Sequence, residues 1–167
     1  MRSQASVSVI YGMVLAILSS LASAAGREAG DACSFLRQDK ISSILGVAID
    51  AGRHIGPSSA LCGWGEPNDP SHTGKHVLLT IYRAVGKISP VERFENGKTP
   101  IQGIEKTPVS GIGDDAYYID TPGFGLGLNV KMGTFAFQVK VFGFSPEMTK
   151  TFEISLAQDV LAKLQRH

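Results

Sequence analysis

Cys33 and Cys62 are the side chains of this chain best suited to covalent chemistry, and the sequence holds no other cysteine. They stand 29 positions apart, so they lack the CxxC spacing of many zinc sites and dithiol oxidoreductases. Nothing in the adjoining sequence would obviously lower a thiol pKa, which disfavours a nucleophilic cysteine. In an exported protein, the favoured interpretation is a single disulfide between them.

His72 and His76 have the spacing of two metal ligands, since side chains four residues apart share one face of a helix. Pro70 and Gly74 indicate instead a polar loop that leads into a strand, where this spacing loses its meaning. We therefore predict no metal site and no cofactor. A metal site at His72 and His76 is kept only as the alternative.

Three further motifs resemble functional sites and are better explained by turns. Asp114, Asp115 and Asp120 lie near a glycine turn, but they supply too few oxygen ligands for a calcium loop. The glycines of 123–127 precede an alternating strand, whereas a phosphate-binding loop must begin a helix. Ser110 lacks the glycine two places earlier that a nucleophile elbow requires.

Aromatic side chains are candidates for a binding surface, although at least half of them should belong to the core. Alternation over residues 60–66 places Trp64 on the same face as Cys62, so packing of the indole against the disulfide is favoured over ligand contact. The candidates are Trp64, Tyr82, Tyr117, Tyr118, Phe142 and Phe144.

The first 24 residues have the composition of a secretory signal peptide. Arg2 precedes an apolar run over 7–21, and small residues end at Ala24, after which we predict cleavage. The alternative is an uncleaved membrane anchor, but this run has about fifteen apolar residues, fewer than the ~20 that a membrane-spanning helix needs. Ala25 stands where a lipoprotein would have cysteine. We therefore expect a periplasmic or extracellular protein with no stable membrane anchor after cleavage.

The chain that remains after cleavage is predicted to be a single domain. Residues 25–30 would form a short flexible N-terminus, and residues 31–167 are of a length typical of one domain. Without Arg2, 15 basic residues balance 15 acidic residues. A net charge near zero gives no indication of nucleic-acid binding.

Helical periodicity appears in three places. Residues 31–45 read as a helical segment that is capped by Asp31 and ends before Gly46. Ser89 begins a short helix with a capping box that ends at Gly97. Ser145 begins the longest helix. Its predicted apolar stripe is Met148, Phe152, Leu156, Val160 and Leu164, widened by Ala157 and Leu161, with Lys150, Glu153, Gln158, Asp159, Lys163 and Arg166 on the polar side.

Extended segments account for most of the remaining chain. Strands are predicted over 47–54, 60–66, 76–85 and 116–120, and residues 125–131 and 134–142 alternate across a glycine turn as a hairpin does. An amphipathic helix of this kind should lie across an antiparallel sheet. The predicted fold is therefore α+β. It has an antiparallel sheet of about five to six strands, packed on one face by the N-terminal helical segment and the long C-terminal helix.

Short motifs along the chain resemble those of a broad group of exported bacterial domains. They are Cys33-x-Phe35-Leu36, Ile44-Leu45-Gly46, Cys62-x-Trp64 and Val109-x-Gly111-Ile112-Gly113-Asp114-x-Ala116, followed by a hairpin and a closing helix. The group includes many small lipoproteins, and similar domains look like extracytoplasmic sensor regions of bacterial serine/threonine kinases. The resemblance implies a Cys33–Cys62 disulfide and a sheet-plus-helix fold, and it brings no catalytic residues.

The sequence favours a non-enzymatic exported binding domain that contacts an envelope ligand or another protein through an exposed sheet face. One alternative is a small periplasmic hydrolase whose site is assembled only in the fold, from His54, His76, Asp114 and Asp115. Another alternative is an inhibitor or accessory subunit of an envelope protein.

Overall fold

Seven strands form one antiparallel sheet in the computed structural model, which describes residues 30–69 and 74–166. The predicted signal peptide and His72 lie outside the described residues. The strands are β1 (Arg53–His54), β2 (Leu61–Gly65), β3 (His76–Ile81), β4 (Glu105–Val109), β5 (Asp115–Thr121), β6 (Gly125–Met132) and β7 (Phe135–Phe142). Their order across the sheet is β1-β2-β3-β7-β6-β5-β4.

The predicted α+β class is confirmed, whereas the predicted strand number is too low. The additional strand is β4, which falls outside every predicted strand and contains Pro108, a residue that cannot donate a backbone hydrogen bond. β1 lies at the end of the predicted strand 47–54 and is only two residues long. The predicted hairpin is present as β6 and β7.

Three α-helices occur in the described chain: α1 (Gln38–Leu45), α2 (Pro90–Gly97) and α3 (Pro146–Leu164). The capping box that starts α2 is confirmed, because the Ser89 hydroxyl accepts from the Glu92 N–H and the Glu92 carboxylate accepts from the Ser89 N–H. α2 ends at Gly97, as predicted, and its C-cap Lys98 has a right-handed conformation. None of the described helices is both long and apolar enough to cross a bilayer.

The N-terminal helical segment is divided into two pieces. Asp31 caps a short 3-10 helix, Ala32–Ser34, and accepts a hydrogen bond from the Cys33 N–H. Arg37, the N-cap of α1, is extended. The C-cap of α1 is Gly46, in the left-handed conformation that glycine adopts readily. Cys33 lies in this 3-10 helix, which is positioned beside β2.

The disulfide between Cys33 and Cys62 joins this 3-10 helix to β2. Trp64 lies two residues further along β2 and is 1% exposed. A Cβ atom at Gly52 would collide with the indole of Trp64 and would approach the sulfur of Cys62 to 2.9 Å. The glycine therefore allows the backbone before β1 to pass close over the disulfide and the indole.

The two faces of the sheet are covered unequally. Val77, Leu79 and Ile81 of β3 point into the main core, which also contains residues of α1 and α3. The opposite face has a smaller cluster in which Phe94 of α2 packs against Tyr117. The prediction that helices cover one face is therefore corrected, because α2 packs on the other face.

The buried side of α3 also differs from the predicted stripe. Met148 is 46% exposed, and Glu153, which was placed on the polar side, is fully buried. The side chains that α3 buries are Thr149, Glu153, Leu156, Ala157, Val160 and Leu161. The burial of Glu153 is explained by the way β6 and β7 pair, which is described below.

Candidate functional site

A gap in the sheet explains the burial of Glu153. The register between β6 and β7 ends at the pair Leu128 and Val139, although both strands continue beyond this pair. Glu153 accepts a hydrogen bond from the Val141 N–H at 2.9 Å, and the Leu128 backbone lies close enough to lower the pKa of the carboxyl group slightly. One side chain of α3 therefore interacts with two strands at the point where they separate.

The environment of Glu153 favours its neutral form. Burial raises its pKa to about 8, and the Val141 hydrogen bond and the nearby charge of Lys140 oppose this only in part. Its second carboxyl oxygen has no hydrogen-bond partner among the described residues. At neutral pH most molecules therefore carry a protonated carboxyl group at this position.

A polar network lies on the opposite face of the same strands. The Tyr82 hydroxyl donates to Asn129 Oδ1 at 2.5 Å, and the Gln138 amide donates to the same oxygen at 3.2 Å. The guanidinium of Arg93 covers the Tyr82 ring at 5.2 Å from its centre. Burial raises the pKa of Tyr82, so its hydroxyl remains a donor at neutral pH.

Beyond this network, the same face is only partly covered. Leu78 and Thr80 of β3 and Gln138 and Lys140 of β7 are half-buried and lie side by side in register, Leu78 opposite Lys140 and Thr80 opposite Gln138. We call these four residues the open face. The aliphatic part of Lys140 lies where a side chain at Gly127 would stand, and its ammonium group donates to the Phe124 carbonyl at 3.1 Å.

The six aromatic candidates for a binding surface occupy different environments, and two of them, Phe142 and Phe144, are half-buried. Trp64, Tyr117 and Tyr118 are buried, whereas Tyr82 is half-buried within the polar network. Tyr117 donates to the Phe94 carbonyl at 3.3 Å, and Tyr118 donates to the Lys150 carbonyl at 3.1 Å. Burial raises the pKa of both hydroxyl groups. Neutral tyrosines in such positions join helices to the sheet.

The candidate hydrolase residues lie on separate strands. His54 on β1 and Asp115 on β5 are five strand positions apart, which corresponds to about 24 Å at a strand spacing of ~4.8 Å. His76 on β3 is three positions from β5, or about 14 Å. Asp114 is adjacent to Asp115 in the chain and accepts from the Gly133 N–H at 2.6 Å. A general base must come within hydrogen-bond reach of its partner, and these spacings exceed that reach.

The remaining contacts of these residues are local. Asp115 forms an ion pair with Lys98. The His76 ring stacks on Phe142 with 4.3 Å between ring centres, and its Nδ1 lies 2.9 Å from the Gly74 carbonyl oxygen. Because His72 is outside the described residues, the alternative metal pair stays a prediction.

One cluster was not predicted from the sequence. Asp31, Cys33 and His54 each offer a possible metal-ligand atom, and these atoms lie within 4.8 Å of one another. His54 Nε2 is 2.7 Å from Asp31 Oδ1, and this hydrogen bond lowers the pKa of Asp31. Because His54 is distant from the other two residues in the chain, no local motif marks the cluster.

A charged cleft of about 300 Å³ lies between the start of α1 and the end of α3. Lys40 and Asp159 face each other across it at 3.9 Å, and Arg37 pairs with Asp39 at 2.8 Å. Lys163 and Arg166 also line the cleft and donate to the backbone carbonyls of Ser34 and Ala162, so its four cationic side chains outnumber its two carboxylates.

Comparison of the chain with models of protein families, with curated proteins and with solved structures found no match.

Proposed function

We propose that this chain is an exported, non-enzymatic domain that binds a protein partner through the open face of its sheet. The observation that carries the proposal is the unequal covering of the sheet. The main core fills one side, whereas α2 covers only part of the other side and leaves Leu78, Thr80, Gln138 and Lys140 half-buried.

The open face has the chemical composition of a protein interface. Leu78 supplies an apolar surface, Thr80 and Gln138 supply hydrogen-bonding groups, and Lys140 supplies a cation beside them. A non-obligate interface is about as apolar as the rest of a protein surface and includes hydrogen bonds, so this mixture is compatible with one. A sheet surface is broad and shallow, whereas small ligands usually bind in concave sites. A protein partner therefore fits this surface better than a small molecule does.

The backbone below the open face is held rigidly. β3 and β7 pair along six consecutive residues, and the network of Tyr82, Asn129 and Gln138 fixes the neighbouring side chains. A rigid surface loses little conformational entropy when it binds, which favours affinity. If the partner is an envelope enzyme, this domain would act as its inhibitor or accessory subunit.

Export is the second part of the proposal. A disulfide between Cys33 and Cys62 is compatible with an oxidising compartment, and the N-terminal sequence has the pattern of a secretory signal. Mass spectrometry of protein from the envelope and medium fractions tests this directly. We expect a chain that begins at Ala25 and contains no free thiol. An intact chain in the cytosol with both thiols free would contradict export.

Site-specific photo-crosslinking in cells tests the open face. A photoreactive amino acid at position 78 or 140 should give a discrete crosslinked protein, and a second substitution, Thr80→Arg, should remove it. Gln158 is exposed on α3 and provides the matched control position. Equal crosslinking from position 158, or no effect of Thr80→Arg, would contradict the proposed surface.

A further inference from the structure

Asp31, Cys33 and His54 form a cluster at the β1 edge of the sheet. Asp31 and His54 are accessible, with 46% and 42% of their side chains exposed. His54 is the register partner of Cys62 in the pairing of β1 with β2, so the imidazole and the Cys62 sulfur lie on the same face of the sheet. One imidazole, one carboxylate and the Cys33 sulfur therefore lie within 4.8 Å of one another, and the Cys62 sulfur is bonded to that of Cys33.

The disulfide keeps both sulfurs from acting as metal ligands in the oxidised chain. A thiolate, not a disulfide sulfur, is the cysteine form that binds metals. A dithiol reductant would transfer two electrons and two protons to the Cys33–Cys62 bond. The reductant would become a disulfide, and the chain would gain two thiols. Each thiol that then binds a metal ion releases its proton.

We propose that reduction of the Cys33–Cys62 disulfide turns this cluster into a binding site for Zn(II). Cys33, Cys62, His54 and Asp31 would be its four ligands. Sulfur and imidazole donors favour zinc over magnesium or calcium, and four ligands complete the tetrahedral coordination of a structural zinc site.

Two of the four ligand atoms, His54 Nε2 and Asp31 Oδ1, need only a small movement to reach zinc geometry. At typical zinc distances, a nitrogen and an oxygen ligand stand about 3.3 Å apart and two sulfur ligands about 3.8 Å apart. His54 Nε2 and Asp31 Oδ1 are now 2.7 Å apart, so they would separate by roughly half an ångström. The sulfurs would separate once their bond is broken.

Contacts other than the disulfide keep the ligands close together. The Ala32 N–H donates to the Ser59 carbonyl at 2.8 Å, which holds the 3-10 helix beside the chain that enters β2. Cys62 is itself buried in the main core. Breaking the sulfur bond therefore leaves Cys33 near Cys62 and His54. Zinc would replace the disulfide as the link between the same two segments.

Titration of the reduced mature chain with Co(II), a spectroscopic substitute for zinc, tests the site. A phosphine reductant is used because it does not compete as a thiol ligand. We expect one Co(II) per chain with a sulfur-to-cobalt charge-transfer band, displaced by Zn(II), and no such band for the oxidised chain. His54→Ala and Asp31→Asn should each weaken binding by about tenfold or more. Asn at position 31 keeps an oxygen that can cap the Cys33 N–H.

His76→Ala is the matched control, because His76 lies on β3 away from the cluster, and it should bind Co(II) as the parent chain does. Circular dichroism shows whether the reduced chain is folded. Recovery of the folded signal on Zn(II) addition, in the parent chain but not in His54→Ala, supports the site. Equal Co(II) affinity of the parent chain and His54→Ala, or no band in the reduced parent chain, overturns it.

Discussion

The carboxyl group of Glu153 in α3 accepts a hydrogen bond from the backbone N–H of Val141 in β7, at a distance of 2.9 Å. The contact lies where β6 and β7 stop pairing, so a helix side chain takes the place of a missing strand contact. Because the carboxyl group is fully buried, this contact links the stability of the sheet to pH.

Glu153 should make the domain less stable as pH rises. Its pKa is about 8 in the folded chain and 4.5 in the reference state, so the folded state holds a proton that the unfolded state loses. The contribution is fully present below about pH 4.5 and is lost as pH rises towards 8. Between pH 5 and pH 8 the loss should be about 3 kcal/mol.

Urea denaturation of the parent chain and of Glu153→Gln at both pH values checks this effect. Gln keeps an oxygen acceptor for Val141 but does not titrate, so the difference in unfolding free energy between the two chains should change by about 3 kcal/mol from pH 5 to pH 8. A difference that stays constant with pH would show that Glu153 does not titrate in this range.

Loss of the disulfide should destabilise the domain by about 3.6 kcal/mol, because the bond closes a loop of 29 residues in the unfolded chain. The measurement is urea denaturation of a Cys33→Ser, Cys62→Ser double variant beside the oxidised parent chain. Adding a reductant should destabilise the parent chain and leave the double variant unchanged. If the reductant affects both chains equally, the loss has another cause.

Two substitutions in the polar network of Tyr82, Asn129 and Gln138 should lower the unfolding free energy by different amounts. Tyr82→Phe removes one donor to Asn129 Oδ1 and should cost about 1 kcal/mol. Asn129→Ala should cost roughly 2 to 3 kcal/mol of unfolding free energy, because it leaves the Tyr82 hydroxyl and the Gln138 amide without their shared acceptor. Gln158→Ala, on an exposed position of α3, serves as control and should change stability little. Equal costs for Tyr82→Phe and Asn129→Ala would mean that the network does not act through Asn129.

The two serine caps should differ in strength. Ser89 takes part in two reciprocal hydrogen bonds, whereas the Ser145 hydroxyl makes one contact of 3.4 Å with the Met148 N–H. We expect Ser89→Ala to cost about 1 kcal/mol of unfolding free energy and Ser145→Ala to cost less. Thermal denaturation of the two variants side by side gives the comparison, and a larger effect at Ser145 would reverse the expected order.

Features that depend on neighbouring residues could be predicted from the sequence. The capping box of Ser89 and Glu92 and the hairpin of β6 and β7 need only a few adjacent residues, and both are present. The disulfide could also be predicted, because the chain offers only one pair of cysteines.

Features that depend on distant segments could not be predicted in this way. The burial of Glu153 results from a gap between two strands, which a helical wheel of α3 cannot reveal. The position of α2 depends on the packing of Phe94 against Tyr117. The meeting of Asp31 with His54 depends on the pairing of β1 with β2, which brings together residues that are 23 positions apart in the chain.

The edges of the sheet have a consequence for behaviour at high concentration. β4 contains Pro108, which cannot donate a backbone hydrogen bond, and β1 offers only two residues at the other edge of the sheet. An additional strand from a second molecule would find few groups to pair with at either side. The protein should therefore resist edge-to-edge polymerisation.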